Sequence, residues 1–437
     1  MRLKTFPGGV HPPDEKKYSA SMPITEAPIP QKVAIHLSQH IGSPSKPIVA
    51  VGDEVLTGQK IAEATGFVSL CQHSSISGKV TAIDRYPNAT GSSSLAIQIT
   101  GDGADKWIEL VDEQNFMDLP LDEMKKRIGD AGICGMGGAG FPTLVKLSPP
   151  ADKPIDTVIL NGVECEPYLT SDHRLMLEKG EEILQGLKLI MKILSAKKGM
   201  IGIEANKPDA IEKMRLLTKN EPNIEVVTLK LRYPQGAEKQ LIYAATKRKV
   251  PAGGLPLEIG VVVQNVGTAF AIYEAIRYKK PLIQRIITVT GSPVVKPQNL
   301  LARIGTPFSE LVDFCGGTKE EIGKAICGGP MMGFALPSLA ATMGKGSGGL
   351  VLLDKETARL KEEGNCLRCA RCVDVCPLNL VPCMIVSAVK YDNQKLAVSS
   401  GLNDCMKCGA CAYVCPAQIR LVQYIDNGKI RYAEAKK

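Results

Sequence analysis

The spacing of apolar and polar positions divides this chain into stretches of different rhythm. The first thirty residues hold no long apolar run and carry Pro7, Gly8, Gly9, Pro12, Pro13, Pro23, Pro28 and Pro30. Proline locks its φ and lacks an N–H, so residues 1–32 are expected as an extended arm rather than a long helix or a central strand. Short apolar runs follow at Ile48–Val51, Lys60–Ala64, Gly78–Ile83 and Leu95–Ile99, parted by Gly-Asp, Thr-Gly and Ser-Gly turns. They predict a small all-β unit over residues 33–105.

Helical periods then alternate with short apolar runs. Helices are expected at Met124–Ile128, Glu181–Leu194 and Asp209–Leu217, and strands at Thr157–Leu160, Met200–Glu204 and Ile224–Leu229. Residues 115–284 therefore read as an α/β domain. The pattern changes again at Ile286–Thr290, a Gly-Ser-Pro turn, a helix at Pro307–Phe314 and Ala325-Ile326, which suits a small β-grasp-like module over 285–345. Residues 355–437 read as helix interrupted by cysteine loops. The fold class is multidomain, α/β plus all-β.

Composition adds limits rather than detail. With 44% hydrophobic and 22% charged residues the chain is an ordinary globular one. Its net charge of +8 is spread along the sequence without a basic block or aromatic-interleaved patch, so nucleic acid is not an expected partner. The segment Met1–Val10 lacks the apolar stretch of a signal peptide. No 18-residue apolar run could cross a bilayer; Ile259–Ile276 is interrupted by Gln264, Asn265 and Glu274 and reads as strand, loop and helix. A soluble or peripheral cytoplasmic protein is expected. His36 and His40 share the i, i+4 spacing of a metal pair but lack a third ligand, so a surface or packed pair is expected.

Cysteine spacing carries the sharpest chemistry. Cys366, Cys369, Cys372 and Cys376 form CxxCxxCxxxC followed by Pro377, and Cys405, Cys408, Cys411 and Cys415 repeat it before Pro416. Thiolates are soft donors suited to iron, and two-residue spacers let three of them converge on one face of a cube. Zinc also takes four thiolates, but two complete runs, each closed by proline, point to two [4Fe–4S] clusters. In two-cluster ferredoxins the fourth cysteine of each run serves the other cluster. One set is then Cys366, Cys369, Cys372 and Cys415, the other Cys405, Cys408, Cys411 and Cys376. Cys71, Cys134, Cys165, Cys315, Cys327 and Cys383 fall outside the spacing and read as inert thiols.

Between Gly132 and Gly140 the sequence Gly-Ile-Cys-Gly-Met-Gly-Gly-Ala-Gly places five glycines in nine residues. So bare a backbone approaches a planar ring or a phosphate closely, although a plain turn would use the same residues. The Gly-Lys-Ser/Thr of a phosphate loop is absent. Pro142 and Lys146 stand where a dinucleotide helix would begin, which weakens a standard Rossmann reading.

Resemblance goes further than spacing. Val51-Gly52-Asp53, Gly58–Ala64 and Ser77-Gly78-Lys79-Val80 resemble the biotinyl/lipoyl carrier barrel, with Thr65 and Gly66 where that family has its modified lysine; a barrel-sandwich scaffold is implied. Gly135-Met136-Gly137-Gly138-Ala139-Gly140-Phe141-Pro142-Thr143 resembles the flavin loop of the 51-kilodalton-type subunit of respiratory complex I. Asn161–Pro167, Tyr233–Glu238 and Asn265–Thr268 resemble its other flavin-site segments. The chain departs from that pattern at Met136, which stands for an arginine, at Val163 for an aspartate, and at Ala237 and Gly267 for glutamates.

The whole order is Phe6-Pro7-Gly8-Gly9-Val10-His11, barrel, Rossmann-like flavin domain, β-grasp and a helical, ferredoxin-like twin-cluster end. It resembles the RnfC family of the Rnf electron-transport complexes, membrane-bound NADH:ferredoxin oxidoreductases coupled to ion transport. The resemblance implies non-covalent FMN lined by Gly135, Gly137, Gly138, Ala139, Gly140, Lys146, Asn161, Glu164, Tyr233, Gly236, Glu238, Asn265 and Thr268. Phe141 would stack on a ring of NADH and Glu166 would hydrogen-bond the nucleotide. No catalytic acid or base is required, since flavin itself converts a hydride into single electrons for the clusters. Implied partners are the other subunits of the complex, NADH and, indirectly, ferredoxin, at the cytoplasmic face of the membrane without a spanning segment. The cobalamin reductases of bacterial microcompartments have similar parts, but there the barrel follows the clusters. A non-enzymatic relay protein with an empty flavin site is the remaining alternative.

Overall fold

The computed structural model describes residues 3–434; the ends of the expected arm and of the last unit, residues 1–2 and 435–437, lie outside them. The α/β unit is built on four parallel strands, Thr157–Gly162, Lys198–Glu204, Ile224–Leu229 and Val261–Asn265. Across the sheet they run third, second, first, fourth in chain order. The crossover helices Gly180–Leu194 and Pro208–Leu217 cover one face with Ile183, Leu187, Ile190, Ala210 and Met214, all buried. Strand Val261–Asn265 passes straight into helix Val266–Tyr278 with Asn265 as its cap. The loop expected there is absent because the asparagine side chain itself accepts from the free amide of Gly267 in the first turn.

The all-β unit packs two small sheets, one of four strands including Lys32–His36, Gly78–Pro87 and Ser93–Gly101, the other of three. Its apolar interior, with Ile35, Ile61, Val80, Ile97 and Ile99, is continuous with that of the α/β unit. Ile48–Val51, expected as a strand, is irregular backbone that runs into a turn at Val51-Gly52, with Ile48 and Val51 exposed. Val49 packs against the interior, but Ile48 and Val51 have no facing layer. His36 is buried, its ring nitrogens at hydrogen-bonding distance from Thr342 and Ser94, whereas His40 faces the Ser43 carbonyl; they do not share a ligand.

The third unit is a six-stranded mixed sheet with one helix, Phe308–Phe314. It extends past the expected limit at residue 345. Strand Gly349–Asp354, apolar and buried from Leu350 to Leu353, lies between Gln284–Thr290 and Ile322–Cys327. The arm is extended for most of its length, but Ile24–Glu26 pairs with Gln298–Arg303 at the edge of this sheet. The last unit packs the helices Pro382–Lys390, Gln394–Ser399 and Leu421–Glu434 around Ile385, Val389, Leu402 and Ile425. Among the described residues no helix is long and apolar enough to cross a membrane.

Candidate functional site: a glycine loop at a sheet switch point and a ring of cysteines

In an open parallel sheet the crevice for a ligand opens at the carboxyl ends of the strands, where the strand order reverses. Here that point lies between the first and fourth strands of the α/β unit, and the register pairs Asn161 with Asn265 across it. Both asparagines organise what surrounds them. Asn265 Oδ1 accepts from the Gly267 amide at 2.8 Å, and its Nδ2 donates to Asp172 Oδ2 at 2.7 Å. Asn161 Nδ2 donates to the Gly236 carbonyl at 2.8 Å.

The glycine loop is docked onto this crevice. The Met136 amide donates to Thr268 Oγ1 at 3.0 Å, and Gly135 N closes the loop onto the Phe141 carbonyl at 2.9 Å. A Cβ on Gly137 would lie 2.9 Å from Asn265 Cβ, so glycine is needed for the close approach. Gly137, Gly138 and Ala139 are exposed, and their amides donate to nothing among the described residues. A Cβ on Gly138 would meet nothing within 4 Å. Bare outward amides beside a crevice fit the phosphate or ring edge of a flavin nucleotide. Gly140 turns the loop with φ of 67° and its carbonyl accepts from Ile41 of the barrel at 3.2 Å.

The remaining expected residues divide by what they touch. Lys146 Nζ pairs with Glu238 Oε1 at 2.6 Å. Glu164, itself in the left-handed region at φ 46°, accepts from the amides of Asp172 at 2.7 Å and His173 at 3.3 Å. It therefore caps the helix Ser171–Glu178. Glu166 Oε2 accepts from Met331 N at 3.0 Å, and burial pushes its carboxyl up to about 7. Tyr233 is buried and donates through its hydroxyl to the Cys408 carbonyl at 2.7 Å. Glu166 Oε2 and the Tyr233 hydroxyl are thus committed toward the third and last units rather than the glycine loop, while the buried Glu166 Oε1 has no hydrogen-bond partner among the described residues.

Several charged residues at the site were not singled out by sequence. Lys345 Nζ donates to the Gly132 carbonyl at 2.7 Å, and Arg285 reaches the Met136 carbonyl at 3.4 Å; both side chains are buried. Lys207 Nζ donates to the Val163 carbonyl at 2.8 Å, and Lys16 Nζ to the Glu166 carbonyl at 3.1 Å. Asp172 is held above the ordinary carboxyl range by burial and then by the charge of Glu164. The one local sign was Lys345 itself, a single lysine inside Gly344–Gly349.

The cysteine runs repeat in backbone as well as in sequence. Arg368, Ala370 and Asn379 have positive φ, and so do Lys407, Gly409 and Gln418 at the same offsets from Cys366 and Cys405. Each run holds a short helix, Arg371–Asp374 or Ala410–Tyr413. Cys376, Cys405, Cys408 and Cys411 line one small cavity, with Pro377, Leu380 and Ile425 around them. Burial pushes the Cys408 and Cys411 thiols up to about 11 and about 12. Thiols from both runs therefore face one space, a donor set that fits an iron–sulfur cube.

Among the described residues no three His, Cys, Asp or Glu side chains approach closely enough to hold a single metal ion. A cube spreads its ligands wider than the roughly 4 Å implied by Zn–S bonds of ~2.3 Å. Of the other set, Cys372 and Cys415 join the apolar core of this unit while Cys366 and Cys369 are exposed. Cys372 faces Cys383.

Comparison with known proteins agrees with this division. Residues 4–104 match the RnfC barrel sandwich hybrid domain, 128–274 the Nuo51 FMN-binding domain, 286–335 the SLBB domain and 359–416 the 4Fe-4S dicluster domain. The chain is 51% identical to the RnfC protein of the proton-translocating ferredoxin:NAD(+) oxidoreductase complex of Clostridium ljungdahlii, over 97% of this chain and 93% of that one. The chain belongs to the RnfC family of ion-translocating ferredoxin:NAD(+) oxidoreductase complexes.

Another RnfC protein, from the Na(+)-translocating complex of Acetobacterium woodii, is 46% identical over 86% of each chain. A third, from the ion-translocating oxidoreductase complex of Pseudomonas aeruginosa, is 43% identical over 99% of this chain but only 56% of its own. Among solved structures, an NAD+-reducing [NiFe]-hydrogenase in its air-oxidised state superposes with a TM-score of 0.51 at 20% identity. The match covers 72% of this chain and 64% of the other, a likeness of fold. The chain therefore carries an FMN-binding domain and a 4Fe-4S dicluster domain together.

Proposed function

We propose that the chain is the NADH-facing electron-input member of an Rnf-type complex, holding FMN on the glycine loop and two [4Fe–4S] clusters on the cysteine runs. The observation that carries this reading is the single hydrogen bond Tyr233–Cys408, which joins the Tyr233–Glu238 segment to the cysteine ring. FMN supplies the exchange between a two-electron hydride and single electrons. The chain's own residues bind and orient. The free amides of Gly137–Ala139 and the cation of Lys146 suit an anionic group. Asn161, Gly236, Asn265 and Thr268 fix the crevice, and half-buried Phe141 offers a face on which a nicotinamide dinucleotide stacks. Laying the donor ring in near-attack contact is the catalytic task, and it needs no proton-transferring side chain.

Four further readings belong here. The units fall near residues 1–32, 33–105, 115–284, 285–345 and 355–437, the fourth with Gly349–Asp354 added. The third sheet with its helix is a β-grasp, and the last unit a helical ferredoxin-like fold. The cysteine sets are crossed, with Cys366, Cys369, Cys372 and Cys415 holding the second cube. The chain sits peripherally at the cytoplasmic face of the membrane against other subunits, through which electrons reach ferredoxin.

The test is anaerobic purification followed by iron and flavin analysis and addition of NADH. About eight irons per chain, one released FMN and bleaching of the clusters are expected. Four irons would overturn the two-cluster assignment, and bound flavin without bleaching would overturn NADH.

A further inference from the structure

The opening motif Phe6-Pro7-Gly8-Gly9-Val10 has no part in the site described so far, yet its contacts are specific. Lys4 bridges to Leu229, and the Arg232 guanidinium donates to the Phe6 carbonyl at 3.0 Å. Val10 and Tyr233 exchange both backbone hydrogen bonds at 2.8 Å. The Gly9 amide, next in line, donates to the Val375 carbonyl at 2.8 Å. One strap of residues therefore ties the segment that leads into Gly236 to the residue before Cys376.

Glycine is required at both steps of this strap. Gly8 and Gly9 have φ of 79° and 81°. A Cβ on Gly8 would stand 2.9 Å from the Cys376 carbonyl, and one on Gly9 2.7 Å from the Tyr233 carbonyl. Backbone cannot move aside there as a flexible side chain would. The other half of the same cysteine ring is held independently, by the Tyr233 hydroxyl on the Cys408 carbonyl at 2.7 Å. Gln240 Nε2 adds a donor to the Pro377 carbonyl at 3.1 Å. Val10, Tyr233, Cys408 and Ala410 close around these bonds as one apolar cluster with Val375 and Met331. None of these contacts involves Cys366, Cys369, Cys372 or Cys415.

We infer that the Gly8-Gly9 strap and the Tyr233 hydroxyl are positioning elements that seat the Cys376, Cys405, Cys408, Cys411 ring, and not the other set, against the flavin-bearing unit. This rests on the reading of the two sites as flavin and cluster sites. The strap presents the Cys376 side of the ring and Tyr233 the Cys408 side. The set with exposed Cys366 and Cys369 is left facing away, toward a partner. Tyr233 donates to the backbone carbonyl of a ligand residue rather than to its sulfur, so what reaches the ring is the positive end of its O–H dipole in a buried setting, which favours the more negative, reduced state of the cluster.

The experiment uses the full chain with its clusters and FMN, purified anaerobically, with each cluster followed by electron paramagnetic resonance in a redox titration. Tyr233→Phe removes one oxygen and retains the packed ring. Its expected result is a lower midpoint potential for one cluster only, the one whose signal Cys408→Ser abolishes. Gly8→Ala is expected to broaden or lose that same signal while the signal that Cys366→Ser abolishes persists. A shift confined to the cluster of Cys366, or no shift of either potential in Tyr233→Phe, overturns the inference. A wild-type chain that binds no FMN or only four irons would instead overturn the reading beneath it, so the two failures are told apart.

Discussion

The buried ammonium of Lys345 donates to the carbonyl of Gly132 at 2.7 Å, although the two residues come from different units of the chain. A second donation goes to Cys71 O of the barrel at 3.1 Å. No carboxylate pairs with this lysine among the described residues; its partners are neutral carbonyls and, nearby, the thiols of Cys134 and Cys71. Burial pushes its pKa down from 10.5 to about 8. The glycine loop is thus pinned at its root by a cation that the fold holds at a cost.

Lys345→Met is expected to loosen the loop and weaken FMN about tenfold, a loss of roughly 1.4 kcal/mol, measured by flavin fluorescence. The variant also separates a pH effect. Between about pH 8 and 10.5 the unfolded chain keeps a proton on Lys345 that the folded chain has shed. The unfolded state binds more protons there, so stability rises with pH across that window. Thermal unfolding of the wild type minus that of Lys345→Met should show this rise. An identical pH dependence in both would contradict it. His73, held neutral by burial and then by the charge of Lys345, is common to both chains apart from that charge.

Ala370 stands at φ 60° where the second cysteine run has Gly409 at φ 82°. An alanine there carries the Cβ clash of the left-handed region, which glycine avoids. Ala370→Gly is expected to stabilise the cluster unit by about 1 kcal/mol, less the added freedom of glycine in the unfolded chain. Denaturant titration of the reduced, cluster-loaded protein reads it as a higher midpoint at unchanged slope. Gly409→Ala should do the reverse and cost more, since its Cβ would also come within 3.0 Å of the Met331 carbonyl.

What could be read from the sequence was whatever is local. The cysteine runs declare themselves because ligand spacing is a property of eleven residues, and the strands of the α/β sheet because each is a short buried apolar run. Ile48–Val51 misleads for the same reason: its apolar pattern is local, but whether another layer covers it is not. Strand Gly349–Asp354 follows a glycine-rich stretch that looks like a boundary, and only pairing with residues 284–290 and 322–327 makes it central. Tyr233 was legible as part of a flavin segment, yet its hydroxyl is spent on a residue 175 positions away. The buried cations that pin the loops, Lys16, Lys207, Arg285 and Lys345, leave no periodic trace, because each acts on a distant carbonyl.

Crossed ligation is tested by Cys376→Ser. In sequence Cys376 belongs with Cys366, Cys369 and Cys372, but in space it shares a cavity with Cys405, Cys408 and Cys411. A serine hydroxyl is a harder, less readily ionised donor than a thiol, so the cluster it serves should be lost or converted while the other persists. If ligation follows space, the damaged signal is the one that Cys408→Ser also removes. Iron then falls by up to about half, and Cys415→Ser damages the opposite cluster. If ligation follows sequence, Cys376→Ser and Cys366→Ser remove the same signal. Paramagnetic resonance of the dithionite-reduced variants separates the two outcomes, because each cysteine is assigned by the company its signal keeps rather than by its place in the run.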